Sequence, residues 1–278
     1  MVIQWKKYTF KLNEIYGNQK LTSPIPKADL HAYFQQKQLM PSPKWFTLHK
    51  QVLTLCIDLE QSEEAMRKDM NRTTRYQINK AGRDNLQLKF SPDPTDEEIE
   101  EFVAFFNPFA KEKAIELCRG DKLYSLRDHQ RLVITYVLHE DGRKLASHLY
   151  IANEDRAIML YSCSGRFANS DIPGLQIGRA NRYLHWHDML FFKEKGMKYY
   201  DFLGLSIDPN NEAQQNVNTF KKGFGGIELI EYQSFIPQNW RGTLLAIALK
   251  WLWRNQHEII KRNHLPVQSY LSKLDTQK

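Results

Sequence analysis

Residues 199–226 read YYDFLGLSIDPNNEAQQNVNTFKKGFGG, and the succession of elements they spell sets the fold class. With Met197 and Lys198 in front, the first part is an aromatic, apolar run of strand type that carries a single carboxylate, Asp201. Asn211 to Lys222 is expected to form a short helix, Gly223 to Gly226 a turn, and Ile227 to Phe235 another strand. Upstream, RLVITYVLHE, KLASHLYIAN and RAIMLYSCS are three strand-like runs joined by Asp141-Gly142-Arg143 and Glu154-Asp155, which predicts an antiparallel meander. A helix from about Leu175 to Lys195, stopped by Gly196, connects the meander to the quoted stretch, and a last helix is expected from Trp240 to about Ile260.

Further toward the N-terminus, QVLTLCIDL (51–59) alternates like a half-buried strand. Ser62 opens what reads as one long helix, with Met66, Met70, Thr74, Ile78 and Ala81 as its inward stripe and Arg67, Lys68, Arg72, Arg75, Lys80 and Arg83 on its other face. A strand is expected from Asn85 to Phe90; Thr95 then caps an acidic first turn, and Pro108 is expected to kink or end the helix that follows. Before Lys44, Pro24, Pro26, Pro41 and Pro43 argue for few regular elements. The whole is an α+β pattern of mixed, mostly antiparallel sheets flanked by helices. It divides into an N-terminal half, 1–120, completed by a C-terminal helix in 238–278, and a C-terminal half, 121–237.

The 278 residues are 42% hydrophobic and 26% charged, which excludes disorder over most of the chain and leaves room for a real core. Thirty-nine Lys and Arg against 32 Asp and Glu leave +7, a balance that favours polyanionic partners. Cys56, Cys118 and Cys163 have no metal or redox spacing and read as buried free thiols of a reducing compartment. With no basic-then-apolar leader and no apolar run of membrane-spanning length, the chain reads as cytoplasmic. Its last helix, flanked by Arg241, Lys250 and Arg254, offers peripheral contact with the inner membrane face as a second reading beside ordinary packing.

Three segments resemble the FemAB family of aminoacyl transferases, which are built from two GNAT-type acyltransferase halves. They are NRTTRYQINKAGRDNLQLKF (71–90), GRANRYLHWHDMLFFKEKGMKYYDFLG (178–204) and FKKGFGG (220–226). The resemblance implies two GNAT-like halves and transfer of an aminoacyl group from aminoacyl-tRNA to an amine, often on a bacterial cell-envelope precursor, with no cofactor and no metal. It also implies that Phe220 and Lys221 belong to the catalytic centre. Two departures from the family pattern are visible: no coiled-coil arm is present, and the strand motif reads Phe202-Leu203-Gly204 in place of Phe-Gly-Gly.

The residues can be weighed without the family. Aminolysis of an ester builds negative charge on the carbonyl oxygen, so an ammonium such as Lys221 could stabilise it; a solvated helix end is the plainer reading of Lys221 and Lys222. Asp201 is a candidate base or orienting group, with capping of the next turn as the alternative. Arg72, Arg75 and Lys80 are candidate phosphate contacts, Arg72 and Arg75 lying three apart on one face. His148 is a candidate pocket residue or a core histidine. His185 and His187 point about 200° apart on a helix, which argues against a shared metal ion.

An acyl-CoA donor is the first alternative, with Gly178 and Arg179 as its contacts. Gln176 stands one residue too close to Gly178 for the usual pyrophosphate loop, which weighs against it. The acceptor would then be an amino sugar or small amine. A non-catalytic RNA- or envelope-binding protein is the second alternative.

Overall fold

The computed structural model describes residues 1–17, 24–41, 46–261 and 264–275, so Pro43 and Lys44 lie outside it. The described residues form ten strands and eight helices. They fall into two compact units: Met1–Leu55 with Gly204–Thr219 and Glu228–Lys278, and Cys56–Leu203 with Phe220–Ile227. The expected α+β architecture of mixed, mostly antiparallel sheets is what the chain forms.

In the first unit, β1 (Val2–Lys7) and β2 (Phe10–Tyr16) form a hairpin, and β2 runs parallel to β3 (Leu30–Gln36). β4 (Leu48–Asp58) enters the sheet beyond β10 (Ile227–Pro237), which is antiparallel to β3. The N-terminal stretch is therefore rich in strands, against the sequence expectation. Its prolines mark ends: Pro24 and Pro26 lie between β2 and β3, and Pro41 follows β3. Alternation is also masked because polar Asn13 and Glu14 are buried in β2. Asn13 is satisfied by Gln4 and by the carbonyl of Pro26, and Glu14 by the Tyr16 hydroxyl.

Helix α7 (Trp240–Leu252) closes this unit. Its Leu245, Ala246 and Leu249 pack with Leu12, Leu30, Ala32 and Phe235. Asn239 caps it by accepting from the Gly242 N–H at 2.9 Å while donating to Asp29 Oδ1, also at 2.9 Å. The helix stops at Leu252, short of the expected Ile260, and a further helix, α8 (Pro266–Asp275), follows. No described helix is long and apolar enough to cross a membrane.

The second unit holds the expected meander. β5 (Gln87–Ser91), β6 (Leu132–Leu138), β7 (Lys144–Asn153) and β8 (Arg156–Ser164) are antiparallel neighbours, and β9 (Tyr199–Leu205) joins β8 in parallel. A parallel pair needs a long crossover, and α5 (Gly174–Glu194) supplies it, burying Ile177, Ala180 and Leu184 against Val137, Leu145 and Ala146. Residues 56–120, read in the sequence with the N-terminal half, pack here with 121–203, because β5 pairs with β6 and the helix after Asn71 lies along α5. The helix capped by Thr95, α3 (Asp96–Glu112), has its full capping box and runs through Pro108 to Glu112 instead of ending there. α4 (Gly120–Asp128), absent from the sequence reading, follows it.

The single long helix expected after Ser62 is two helices, α1 (Glu63–Asp69) and α2 (Arg72–Ala81). All five stripe residues are buried as expected. Continuity fails at Met70 and Asn71, both extended, because Asn71 turns its side chain back to cap the Thr74 N–H at 2.8 Å.

A built Cβ on Gly242 would overlap the carbonyl oxygen of Asp29, to which Gln238 N–H donates. Gly242→Ala is expected to destabilise the protein by about 1–3 kcal/mol, read as a lowered urea midpoint.

Candidate functional site

The three segments singled out in the sequence meet in the second unit. After α6 (Glu212–Lys222) the chain turns through Gly223–Gly226 and lies against the break between α1 and α2. Asn71 N–H donates to the Gly223 carbonyl at 3.0 Å. A Cβ on Gly223 would come within 2.7 Å of Thr74 Oγ1, and one on Gly226, whose φ is +88°, within 2.5 Å of the Cys56 carbonyl oxygen. Only glycine permits this approach together with that backbone conformation. Toward α5, a Cβ on Gly82 would stand 3.5 Å from the Tyr183 ring, and Arg67 of α1 lies 4.4 Å over the Trp186 ring.

This seating brings Phe220 beside α5. Its ring lies 5.5 Å from both His185 and Phe224, and the Arg182 guanidinium sits 4.6 Å over it. Lys221 is half-buried in the next position. Burial pushes its ammonium down to about 8, against the opposing pull of the Asp201 carboxylate. Lys222 is exposed. Asp201 is fully buried in β9; Oδ1 accepts from the Leu203 N–H at 2.8 Å and Oδ2 from Arg156 Nη1 at 3.2 Å. It therefore caps its own turn, where Leu203 holds a φ of +58°, and also lends negative charge to Lys221.

Beneath Phe220 lies a buried polar relay. His148 and Tyr150 alternate onto one face of β7, Tyr200 lies on β9, and His185 and Asp188 lie three apart on α5. Tyr150 donates to Asp188 Oδ2 at 2.6 Å, its hydroxyl is 2.7 Å from that of Tyr200, and Tyr200 is 2.7 Å from His185 Nδ1. With Asp188 as final acceptor, the protons run one way: His185 Nδ1–H to Tyr200, Tyr200 to Tyr150, Tyr150 to Asp188. That direction needs a proton on His185 Nδ1; burial holds the ring's pKa well below the usual value, helped by the electrostatic influence of His148, Arg182 and Lys221. Burial likewise raises both tyrosines.

His148 is buried at the acceptor end of the relay, 2.7 Å from Asp188 and 2.9 Å from Asn181 Oδ1. His148, His185 and Asp188 bring ligand-type atoms within 4.8 Å of one another. Both nitrogens of His148 and Nδ1 of His185 already take part in hydrogen bonds, so the set fits a hydrogen-bonded network better than a metal centre. The sequence reading missed this network. Its signal was the pair of His185 and Asp188 on one helical face, not the pair of His185 and His187.

The expected cation pair does not form. Arg72 is exposed, whereas Arg75 Nη1 turns back to the carbonyls of Arg67, Lys68 and Met70 at 3.2, 3.0 and 2.5 Å, closing the C-terminus of α1. Lys80 is half-buried in the last turn of α2. Gly178 lies inside α5, which starts at Gly174, and Arg179 Nη2 is paired with Asp84 at 3.1 Å. All three cysteines are buried thiols, as expected, and burial pushes Cys118 and Cys163 up to about 12.

No protein-family model matches the chain, and no curated protein is similar to it in sequence. Among solved structures it is similar to FemX, with a TM-score of 0.59 and 12% identity over 89% of this chain and 85% of that one. It is also similar to L-PGS from Bacillus licheniformis, at a TM-score of 0.50 and 12% identity over 79% and 72% of the two chains. A conserved protein of unknown function from Bacteroides thetaiotaomicron matches at 0.50 and 9% identity, over 85% and 82%. At such identities the likeness is one of fold, and the FemAB-like, GNAT-type fold expected from the three segments is borne out.

Because His185 is neutral when folded, the unfolded chain takes up its proton first as pH falls through the ordinary value of 6.5. Stability is complete above that pH and declines below it, by up to about 1.4 kcal/mol per pH unit for this group. Urea unfolding at pH 7 and at lower pH should show a shallower decline in His185→Gln than in the wild type.

Proposed function

We propose that the chain is an enzyme that moves an aminoacyl group from aminoacyl-tRNA to an amine, the acceptor being a cell-envelope precursor or a peptide. The observation that carries this reading is Lys221, a half-buried ammonium lowered to about 8 beside Asp201, on a fold shared with FemX. In the proposed step the acceptor nitrogen attacks the ester carbonyl, a C–N bond forms, and the C–O bond to the tRNA ribose breaks. The proton lost by the amine ends on the ribose oxygen. Lys221 faces the developing oxyanion, Asp201 keeps it charged near neutral pH, and Phe220 shields the reacting centre from water. Loss of one such donor costs on the order of 3 kcal/mol.

Arg72, Lys80 and Lys222 are the proposed tRNA contacts, Arg75 having a structural task instead. His148 acts at a distance, as part of the relay under Phe220. No cofactor is invoked. The pairing of Arg179 with Asp84 and the place of Gly178 inside α5 weigh against the acyl-CoA reading.

The test is transfer of a labelled aminoacyl group from charged tRNA to amine acceptors. Lys221→Ala should lose about 10²-fold with the fold intact. Lys221→Arg, whose charge does not titrate, should move the alkaline limb of the rate profile upward from about pH 8. Turnover of Lys221→Ala within about threefold of wild type removes the role. Micromolar acetyl-CoA binding redirects the assignment to a CoA-dependent N-acyltransferase, and salt-sensitive tRNA binding without transfer to a non-catalytic binding protein.

A further inference from the structure

Helix α7 is apolar on two opposite sides. Leu245, Ala246 and Leu249 face the core of the first unit at 8%, 0% and 7% exposure. Trp240, Leu244, Ile247 and Trp251 are 72%, 54%, 45% and 66% exposed. At 100° per residue these four fall within an arc of roughly 60°, so they form one outward stripe. A helix apolar all round is ordinarily covered all round.

The surroundings indicate what covers it. From Trp240 to His257 the sequence has no carboxylate, while Lys250 and Arg254 are cationic and Arg241 is paired with Asp29 at 3.6 Å. Lys250 borders the stripe, and the Arg254 guanidinium lies 4.4 Å over the exposed ring of Trp251. At the other end, Arg241 Nη2 donates to the Thr9 carbonyl at 2.5 Å, which draws the β1–β2 turn alongside. That turn presents Tyr8 at 75% exposure, and Lys6 and Lys11 face each other in the hairpin just behind it. Tryptophan and tyrosine favour the headgroup level of a bilayer, and a basic border is attracted to anionic lipid.

We propose that the outward face of α7, with the Tyr8 turn, docks on an anionic lipid bilayer, the helix lying in the interface with its tryptophans in the headgroup region. The inference is independent of the transfer reaction, and its readout needs neither donor nor acceptor. It would hold a soluble catalyst at the surface where a lipid-linked acceptor resides.

Cosedimentation with vesicles of phosphatidylglycerol and phosphatidylcholine, and of phosphatidylcholine alone, tests it. The wild type should partition onto the anionic vesicles at least about tenfold better than onto the neutral ones, and less so at high salt. Leu244→Glu/Ile247→Glu, two exposed positions, should weaken binding at least about tenfold while leaving the urea midpoint unchanged. Failure of the wild type to bind anionic vesicles overturns the proposal. So does binding unaffected by the double substitution. Size-exclusion chromatography with light scattering gives a third reading: a wild-type dimer that the substitution converts to monomer, without lipid binding, makes the face an interface between copies and removes the bilayer.

Discussion

One hydrogen bond organises the second unit: the Asn71 N–H on the Gly223 carbonyl. It joins the break between α1 and α2 to the glycine turn after α6, and each partner is needed to make the other. Asn71 must be extended to cap α2, worth about 1 kcal/mol, and that extended residue frees its own N–H for Gly223. The turn can come close enough to accept only because Gly223 and Gly226 lack a Cβ where Thr74 and the Cys56 carbonyl crowd them. The position of Phe220, and of Lys221 after it, follows from this docking.

Burial then acts in the same direction, to different extents, on two basic groups. It suppresses charge on His185, which becomes the neutral donor that starts the relay to Asp188. At Lys221 it lowers the ammonium only to about 8, because Asp201 lies near and the side chain keeps partial contact with solvent. A relay of neutral hydroxyls ending on one carboxylate is the lower-cost way to bury so many polar atoms under an aromatic floor, since every proton has a destination.

Much of the architecture was legible because periodicity survived. The meander of β6 to β8, α5 and the buried stripe of Met66, Met70, Thr74, Ile78 and Ala81 carry their patterns openly. The pattern was lost where polar residues are buried and satisfied by distant partners, as with Asn13 and Glu14 in β2. A break at Asn71 could not be read from the stripe, because both helices keep the same inward face across it. Within the candidate site, Phe220, Lys221 and Asp201 stood out by motif. The relay did not, because it joins β7, α5 and β9, and a single sequence holds no record of which strand face meets which helix face.

The basic helix has a consequence that its charge count conceals. Arg75 holds the last carbonyls of α1, and Arg67 is laid over Trp186. Neither side chain keeps its full reach. Affinity for a polyanion rises with the number of phosphates actually met, since each contact returns condensed counterions to bulk solvent. The slope of any polyanion affinity against salt is therefore set by the side chains still able to extend, fewer than the six cations between Arg67 and Arg83.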